Sequence, residues 1–244
     1  MTSFTLKIIA LITMFIDHSG YVFAGNFSFC NFIGRIAFPI FAFQISEGYK
    51  HTKNLKKYFL RLGIFALISQ IPFSLFTFKY HGGNILNLNV FFTLFLGLLS
   101  IFLYDYVIKL FKKNKASMDN SKNKKNVALS YICKAIGIII VLFLGYVAKL
   151  LNTDYGFWGV LVVFIFYLFN SKKLLMTIAF FILCIAKYFI PYINSTFSFT
   201  YLVLGLCTFL PIVFITSYNG KQGPKIKYLL YIFYPLHLLI LYLL

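Results

Sequence analysis

The feature that most constrains this chain is the alternation of long apolar runs with short clusters of lysine. About 20 mostly apolar residues suffice for a helix to cross the hydrocarbon core of a bilayer. Nine stretches come forward on that criterion: Thr5–Gly25, Phe29–Tyr49, Tyr58–Phe78, Leu88–Phe111, Val127–Leu151, Gly156–Asn170, Lys173–Pro191, Phe197–Ser217 and Ile226–Leu244. The sixth is short, and its junction with the seventh at Ser171-Lys172-Lys173 is the loosest boundary. Backbone inside hydrocarbon must satisfy its own hydrogen bonds, which makes the helix the spanning element for runs of this length. The expectation is an all-α polytopic membrane helix bundle with about nine transmembrane helices, one domain over residues 1–244.

Lysine placement orients that bundle. The second connection holds Lys50, Lys53, Lys56 and Lys57, and the fourth holds Lys112, Lys113, Lys115, Lys122, Lys124 and Lys125. The sixth holds Lys172 and Lys173, and the eighth Lys221, Lys225 and Lys227, whereas the odd connections show only Lys79, Lys149 and Lys187. Cytoplasmic loops accumulate Lys and Arg, so the N-terminus is expected in the cytoplasm, with the chain multi-pass in the plasma membrane. The stretch Lys112–Asn126, KKNKASMDNSKNKKN, is expected to be a mobile cytoplasmic loop. Only 11% of residues are charged, against about 25% in soluble domains. The net charge of +18 therefore follows from membrane loops, and no nucleic-acid partner is expected. The first run lacks a basic leader and a small-residue cleavage site, so it is expected to stay as a helix. Cys30, Cys133, Cys184 and Cys207 are scattered without CxxC or His-Cys spacing, and neither a metal site nor a disulfide framework is expected.

Against this background the polar groups inside apolar runs stand out. KIIALITMFIDHSG, Lys7 to Gly20, carries Asp17 and His18 at membrane depth. Such groups are costly there and ordinarily face a bundle interior, a cavity or a reaction site. With a rise of about 1.5 Å per residue, Asp17, His18, Arg35, Gln70 and His237 all come to a level slightly outside the midplane. A second layer, at the cytoplasmic ends, comprises Lys7, Glu47 and Arg61, ringed by Lys50, His51, Lys56 and Lys57. For the lysines, ordinary interfacial snorkelling is the plain explanation, and Glu47 could pair with Arg61. The alternative is a basic mouth for a phosphate-rich cofactor from the cytosol. Pro39 frees a backbone carbonyl near Arg35, Gly97, Gly145 and Gly205 suit close helix packing, and Asp154 could line an entrance.

These residues bring a family into view. IDHSGYVF, IGRIAFPIFAFQISEGYKHTKNLKKYFLRL, SQIPF, NVFFTL, DYGFWGVL and YPLHLLILYLL resemble the TraX family, named for the membrane protein that N-acetylates conjugative pilin. The chain is also similar, more loosely, to membrane acyltransferases of the acyltransferase-3 and heparan-glucosaminide acetyltransferase type. Their first helix has a basic residue, ten intervening residues and a histidine, as Lys7 and His18 are here, with Lys in place of the more familiar Arg. IFAFQISEG is similar to their second-helix motif, and YPLHLLIL to their final-helix histidine motif.

The resemblance implies an acetyltransferase that takes the acetyl group from cytosolic acetyl-CoA, without a metal. The acceptor would be a peptide or pilin-like N-terminus, or the hydroxyl of a glycan, at or beyond the membrane. Acyl transfer needs a base for the acceptor and a donor for the developing oxyanion. His18 is the expected base, because imidazole titrates near neutrality. Adjacent residues on a helix point about 100° apart, so Asp17 is expected to pair with Arg35 or a backbone group, or to orient His18 obliquely. Arg35 or Gln70 could hold the oxyanion, and His237 could share the proton work. Lys7 and Arg61, with Glu47 and Lys57, are the candidates on the cofactor side; Gln70, Asn89 and Tyr234 are those for the acceptor. A proton-coupled transporter would also place Asp17, His18 and Arg35 at mid-depth, and a non-catalytic scaffold would use them for helix association.

Overall fold

The computed structural model describes residues 1–25, 29–82, 84–116, 124–190, 199–224 and 226–244. Its helices are α1 (Ser3–Phe23), α2 (Phe29–Gly34), α3 (Ala37–His51), α4 (Leu55–His81), α5 (Val90–Ala116) and α6 (Lys124–Leu150). They continue with α7 (Gly156–Leu168), α8 (Lys173–Cys184), α9 (Phe199–Phe209), α10 (Pro211–Thr216) and α11 (Lys227–Leu243). A π-helical turn, Ile185–Phe189, prolongs α8. With α2–α3 and α9–α10 each counted as one interrupted rod, the described residues form nine rods and no strand. Six stretches are long and apolar enough to cross a membrane, from Ser3–Phe23 to Phe199–Thr216. The chain is an all-α, multi-pass membrane bundle.

The interruptions differ from a plain reading of the runs. Pro39 has no N–H to offer the carbonyl of Arg35 four residues back, and the second rod breaks there, between Gly34 and Ala37. Pro39 itself lies in the first turn of α3, where a missing N–H costs nothing. The break is a two-residue joint that ends α2 beside Arg35, rather than a bend at mid-helix. Pro211 does the same for the eighth rod, opening α10 at its first position. In the lysine-rich connection, α5 runs on to Ala116 and α6 begins at Lys124, so the expected loop is helical at both ends. Residues 117–123 lie outside the described residues, as do Pro191 and Phe197, the expected ends of two spans.

The centre of the bundle is α7, which packs against α3, α5, α6 and α8. At about 20 Å it is too short to cross a bilayer alone, and its neighbours shield it from lipid. Val160, Val162, Val163 and Phe166 on it have no accessible surface. Two of the glycines make room for it. A Cβ on Gly97 would lie 2.8 Å from Val163, and one on Gly145 2.7 Å from the Phe157 ring. At the other side, α11 packs on α1 and α4. Met1 and the first residues of α1 are tied to the segment before α11. Met1 N donates to Ser217 O at 2.6 Å, Ser3 N to Lys221 O at 2.9 Å and Phe4 N to Gln222 O at 3.1 Å. That tie sets α11 alongside α1 from one end, and it is what brings the YPLH stretch to the level of His18.

Candidate functional site

His18 and His237 touch across the α1–α11 seam. His18 Nδ1 lies 2.7 Å from His237 Nε2, with the rings stacked at 4.9 Å between centroids. The remaining nitrogen of His237, Nδ1, is 2.8 Å from the backbone oxygen of Phe233. A carbonyl can only accept, so Nδ1 of His237 carries the hydrogen. In the neutral pair, His237 Nε2 is then the acceptor and His18 Nδ1–H the donor. The proton on His18 is thereby assigned to Nδ1, and Nε2 keeps its lone pair. A backbone carbonyl thus fixes a tautomer two rings away, which is how a histidine is prepared as a general base. His237 is 3% exposed, whereas His18 lines a cavity of about 500 Å³.

Asp17, one residue earlier, points elsewhere. Its Oδ2 is 3.9 Å from Arg35 Nη2, and its Oδ1 accepts from Asn31 Nδ2 at 2.9 Å. Arg35 is steadied by its own Nε–H, which donates to Asn31 O at 3.2 Å. Gly34 makes the approach possible, because a Cβ there would lie 2.2 Å from Asp17 Cγ. Gly34→Ala is expected to cost about 1–3 kcal/mol, the usual penalty of overpacking, read as a lower thermal midpoint in detergent. Asp17 and Arg35 line the same cavity as His18, with Tyr21, Asp154 and Tyr155. The α6–α7 turn supplies those last two. Burial pushes the Asp154 carboxyl up to about 6, against the opposing pull of Arg35 and Lys187. Tyr155 stacks on Phe38 at 3.7 Å, and Lys187 from the π-helical turn lies 4.9 Å from the Tyr155 ring and 4.2 Å from Trp158.

A second cavity, of about 580 Å³, opens at the Lys7 end of α1. Lys7, Glu47, His51 and Arg61 line it, together with Gln44 and Tyr58. Glu47 is not paired with Arg61. Its Oε1 accepts from Asn170 Nδ2 at 2.5 Å, and its Oε2 lies 3.5 Å from His51 Nε2. That leaves both cations, Lys7 and Arg61, in the wall without a carboxylate partner among the described residues. Arg61 Nε and Gln44 Nε2 are buried donors with no hydrogen-bond partner, while Gln44 Oε1 accepts from Ser3 Oγ at 2.7 Å. Buried donors without partners are costly, and a ligand rich in acceptor oxygens matches them. A phosphate-bearing molecule fits this wall.

The other expected site residues are placed differently. Tyr234 lines both cavities. Gln70 and Asn89 line neither. Gln70 donates to Asn87 O at 2.8 Å and to Ser74 Oγ at 3.0 Å, and accepts from Asn89 Nδ2 at 2.9 Å. Asn89 also donates to Ala66 O at 2.8 Å and caps α5 by accepting from Phe91 N at 3.0 Å. Their polar groups are spent on bracing the α4–α5 connection. Lys57 stands exposed in the first turn of α4, away from the second cavity's lining. Contributors that lay hidden in the sequence include Gln44, Asn31, Gly34 and Tyr155. Gln44 sits in the IFAFQISEG stretch, and its apolar setting was the available signal. Among the described residues, no three His, Cys, Asp or Glu side chains are placed to hold a metal.

A protein of Dichelobacter nodosus, named probable fimbrial assembly protein FimC, serogroup H1, is 26% identical over 256 residues, covering 98% of this chain and 94% of the relative. No solved structure matches. The family described as TraX protein matches residues 3–244, which takes in both histidines, the Asp17–Arg35 pair and both cavity walls, and the chain belongs to that family.

Proposed function

We propose that this chain is an integral-membrane acetyltransferase of the plasma membrane. Its acyl donor is acetyl-CoA from the cytosol, its acceptor an amine, such as a pilin-like or other peptide N-terminus, or a glycan hydroxyl. The observation that carries the reading is the chain from Phe233 O through His237 to His18, set in a cavity that shares a wall with the basic one. The name of the Dichelobacter relative directs attention to pilin-like acceptors.

Acetyl-CoA, when bound, supplies an activated acyl carbonyl. His18 Nε2 takes the proton of the acceptor as its nitrogen or oxygen attacks. Arg35, at the same cavity, is placed to oppose the charge that develops on the carbonyl oxygen. One C–S bond breaks and one C–N or C–O bond forms. The proton held on His18 passes to the departing sulfur, giving CoA thiol and the acetylated acceptor. With the N-terminus in the cytoplasm, Lys7 and Arg61 face the cytosolic donor, and Asp17, His18 and Arg35 lie nearer the acceptor's side.

The test uses purified protein in lipid nanodiscs and in sealed lipid vesicles, acetyl-CoA labelled in the acetyl group, and peptide and glycan acceptors. Label on the acceptor with an equal release of CoA thiol is the expected result. Label carried across sealed vesicles without covalent change would overturn the reading in favour of transport. On the donor side, Lys7→Gln and Arg61→Gln are each expected to weaken acetyl-CoA binding by about 10- to 100-fold, the worth of a hydrogen bond to a charged group. Unchanged binding in both, by equilibrium binding to folded protein, would remove them from the donor site.

A further inference from the structure

The two cavities meet at four side chains. Met14 on α1, Phe41 on α3, Val90 at the start of α5 and Tyr234 on α11 line both. Each comes from a different helix, so together they form a collar one side chain thick between the basic wall and the histidines. Three of the four are almost fully enclosed, with Met14 at 7%, Val90 at 8% and Tyr234 at 3% exposure. The collar also touches the base. The Tyr234 ring lies 5.8 Å from that of His237 and 6.5 Å from that of His18, and Phe91 packs edge-on against it at 5.1 Å.

We propose that this collar selects the acyl donor by the size of its acyl group, admitting acetyl and rejecting chains of four carbons or more. The proposal rests on the acyltransferase reading and adds the determinant of donor class. A donor whose phosphates lie against Lys7 and Arg61 has its CoA moiety on one side of the collar. The base opens on the other side. The acyl carbonyl therefore has to come to rest within the collar for a nucleophile beside His18 to reach it. The room there is fixed by Phe41, Val90 and Tyr234, whose side chains have few rotamers, with Met14 as the one long flexible member. One methylene too many in an apolar pocket costs about 10- to 200-fold in discrimination. Acyl length leaves the bond balance unchanged: one C–S bond breaks, one C–N or C–O bond forms, and the acceptor's proton ends on the CoA sulfur. Only the fit of the alkyl part differs.

The test is a competition among acetyl-, butyryl- and octanoyl-CoA in equal amounts. Wild type, Met14→Ala and Val90→Ala, purified in nanodiscs, are given the same acceptor, and products are counted by mass. Wild type should make almost wholly acetylated product. Each alanine variant should raise the butyryl-to-acetyl ratio by about tenfold or more, the lower end of single-methylene discrimination. Val90→Ile, which narrows the collar without removing packing, should leave butyryl product undetected and slow acetyl transfer. Either alanine variant alone decides the matter, so misfolding of one leaves the other. A wild type that transfers acetyl, with folded variants keeping its chain-length ratio, would overturn the collar's role while sparing the acyltransferase reading. A wild type that transfers no acyl group from any donor would overturn both.

Discussion

His18→Ala should lower turnover by about 10²–10⁴-fold, the usual contribution of a positioned proton transfer, with acetyl-CoA binding and the yield of folded protein close to wild type. The two parts of that expectation come from different places in the structure. Turnover falls because His18 Nε2 is the unprotonated nitrogen of a tautomer fixed by His237 and the Phe233 carbonyl. Binding survives because Lys7 and Arg61 belong to the other cavity. His18 is also half-buried rather than core, so its loss leaves no large void. The deciding sample is purified His18→Ala in lipid, given acetyl-CoA and an accepted substrate. Wild-type turnover in it would reduce the histidine pair to helix packing.

Arg35→Gln should have the largest effect on stability, about 3 kcal/mol, because it removes the cation that faces the enclosed Asp17 carboxylate. The side chains are 24% and 13% exposed, which holds the figure to the lower end of the range for buried pairs. Asp17→Asn in the same protein removes the stranded charge, and Asn31 can still bond the amide, so the double variant should recover most of the loss. Thermal unfolding of the single and double variants in one detergent measures this. Activity then separates the two roles of Arg35. If the guanidinium also steadies the oxyanion, the double variant stays about 10²–10³-fold slow despite its restored stability. Full activity in the double variant would confine Arg35 to holding Asp17.

The level at which these groups meet could be read from the chain, and their partners could not. Depth follows from the helical rise and the ends of each apolar run, both of which are local. It is one coordinate. Rotation about each helix axis is the other, and it depends on how the rods pack. Depth therefore placed His18, Arg35 and His237 together but left open that His18 meets His237 rather than Asp17. It placed Gln70 at the same level, yet that side chain turns to the α4–α5 connection and braces Asn89. It placed Glu47 beside Arg61, while Asn170, in the turn after α7, takes the carboxylate. Pro39 announced a disturbance near Arg35, but only the structure shows a joint at residues 35–36 that frees Gly34 to face Asp17. The nine-rod architecture was the most legible feature, because the cost of polar backbone in hydrocarbon acts on every run separately.

The thin collar has an electrical consequence. A membrane potential does work of about 2.3 kcal/mol per elementary charge per 100 mV. Where aqueous cavities reach inward from both faces, each carries the potential of its own bath, and most of the drop falls across the layer between them. Here that layer is Met14, Phe41, Val90 and Tyr234. In the orientation proposed, an acceptor's proton starts on the outer side of this layer and finishes on CoA sulfur on the inner side. The acyl group crosses the same layer in the opposite direction, acylium for proton, so the complete transfer moves no net charge. Acetylation across the collar would therefore draw nothing from the energised state of the membrane, and in sealed vesicles its equilibrium would be indifferent to the imposed voltage.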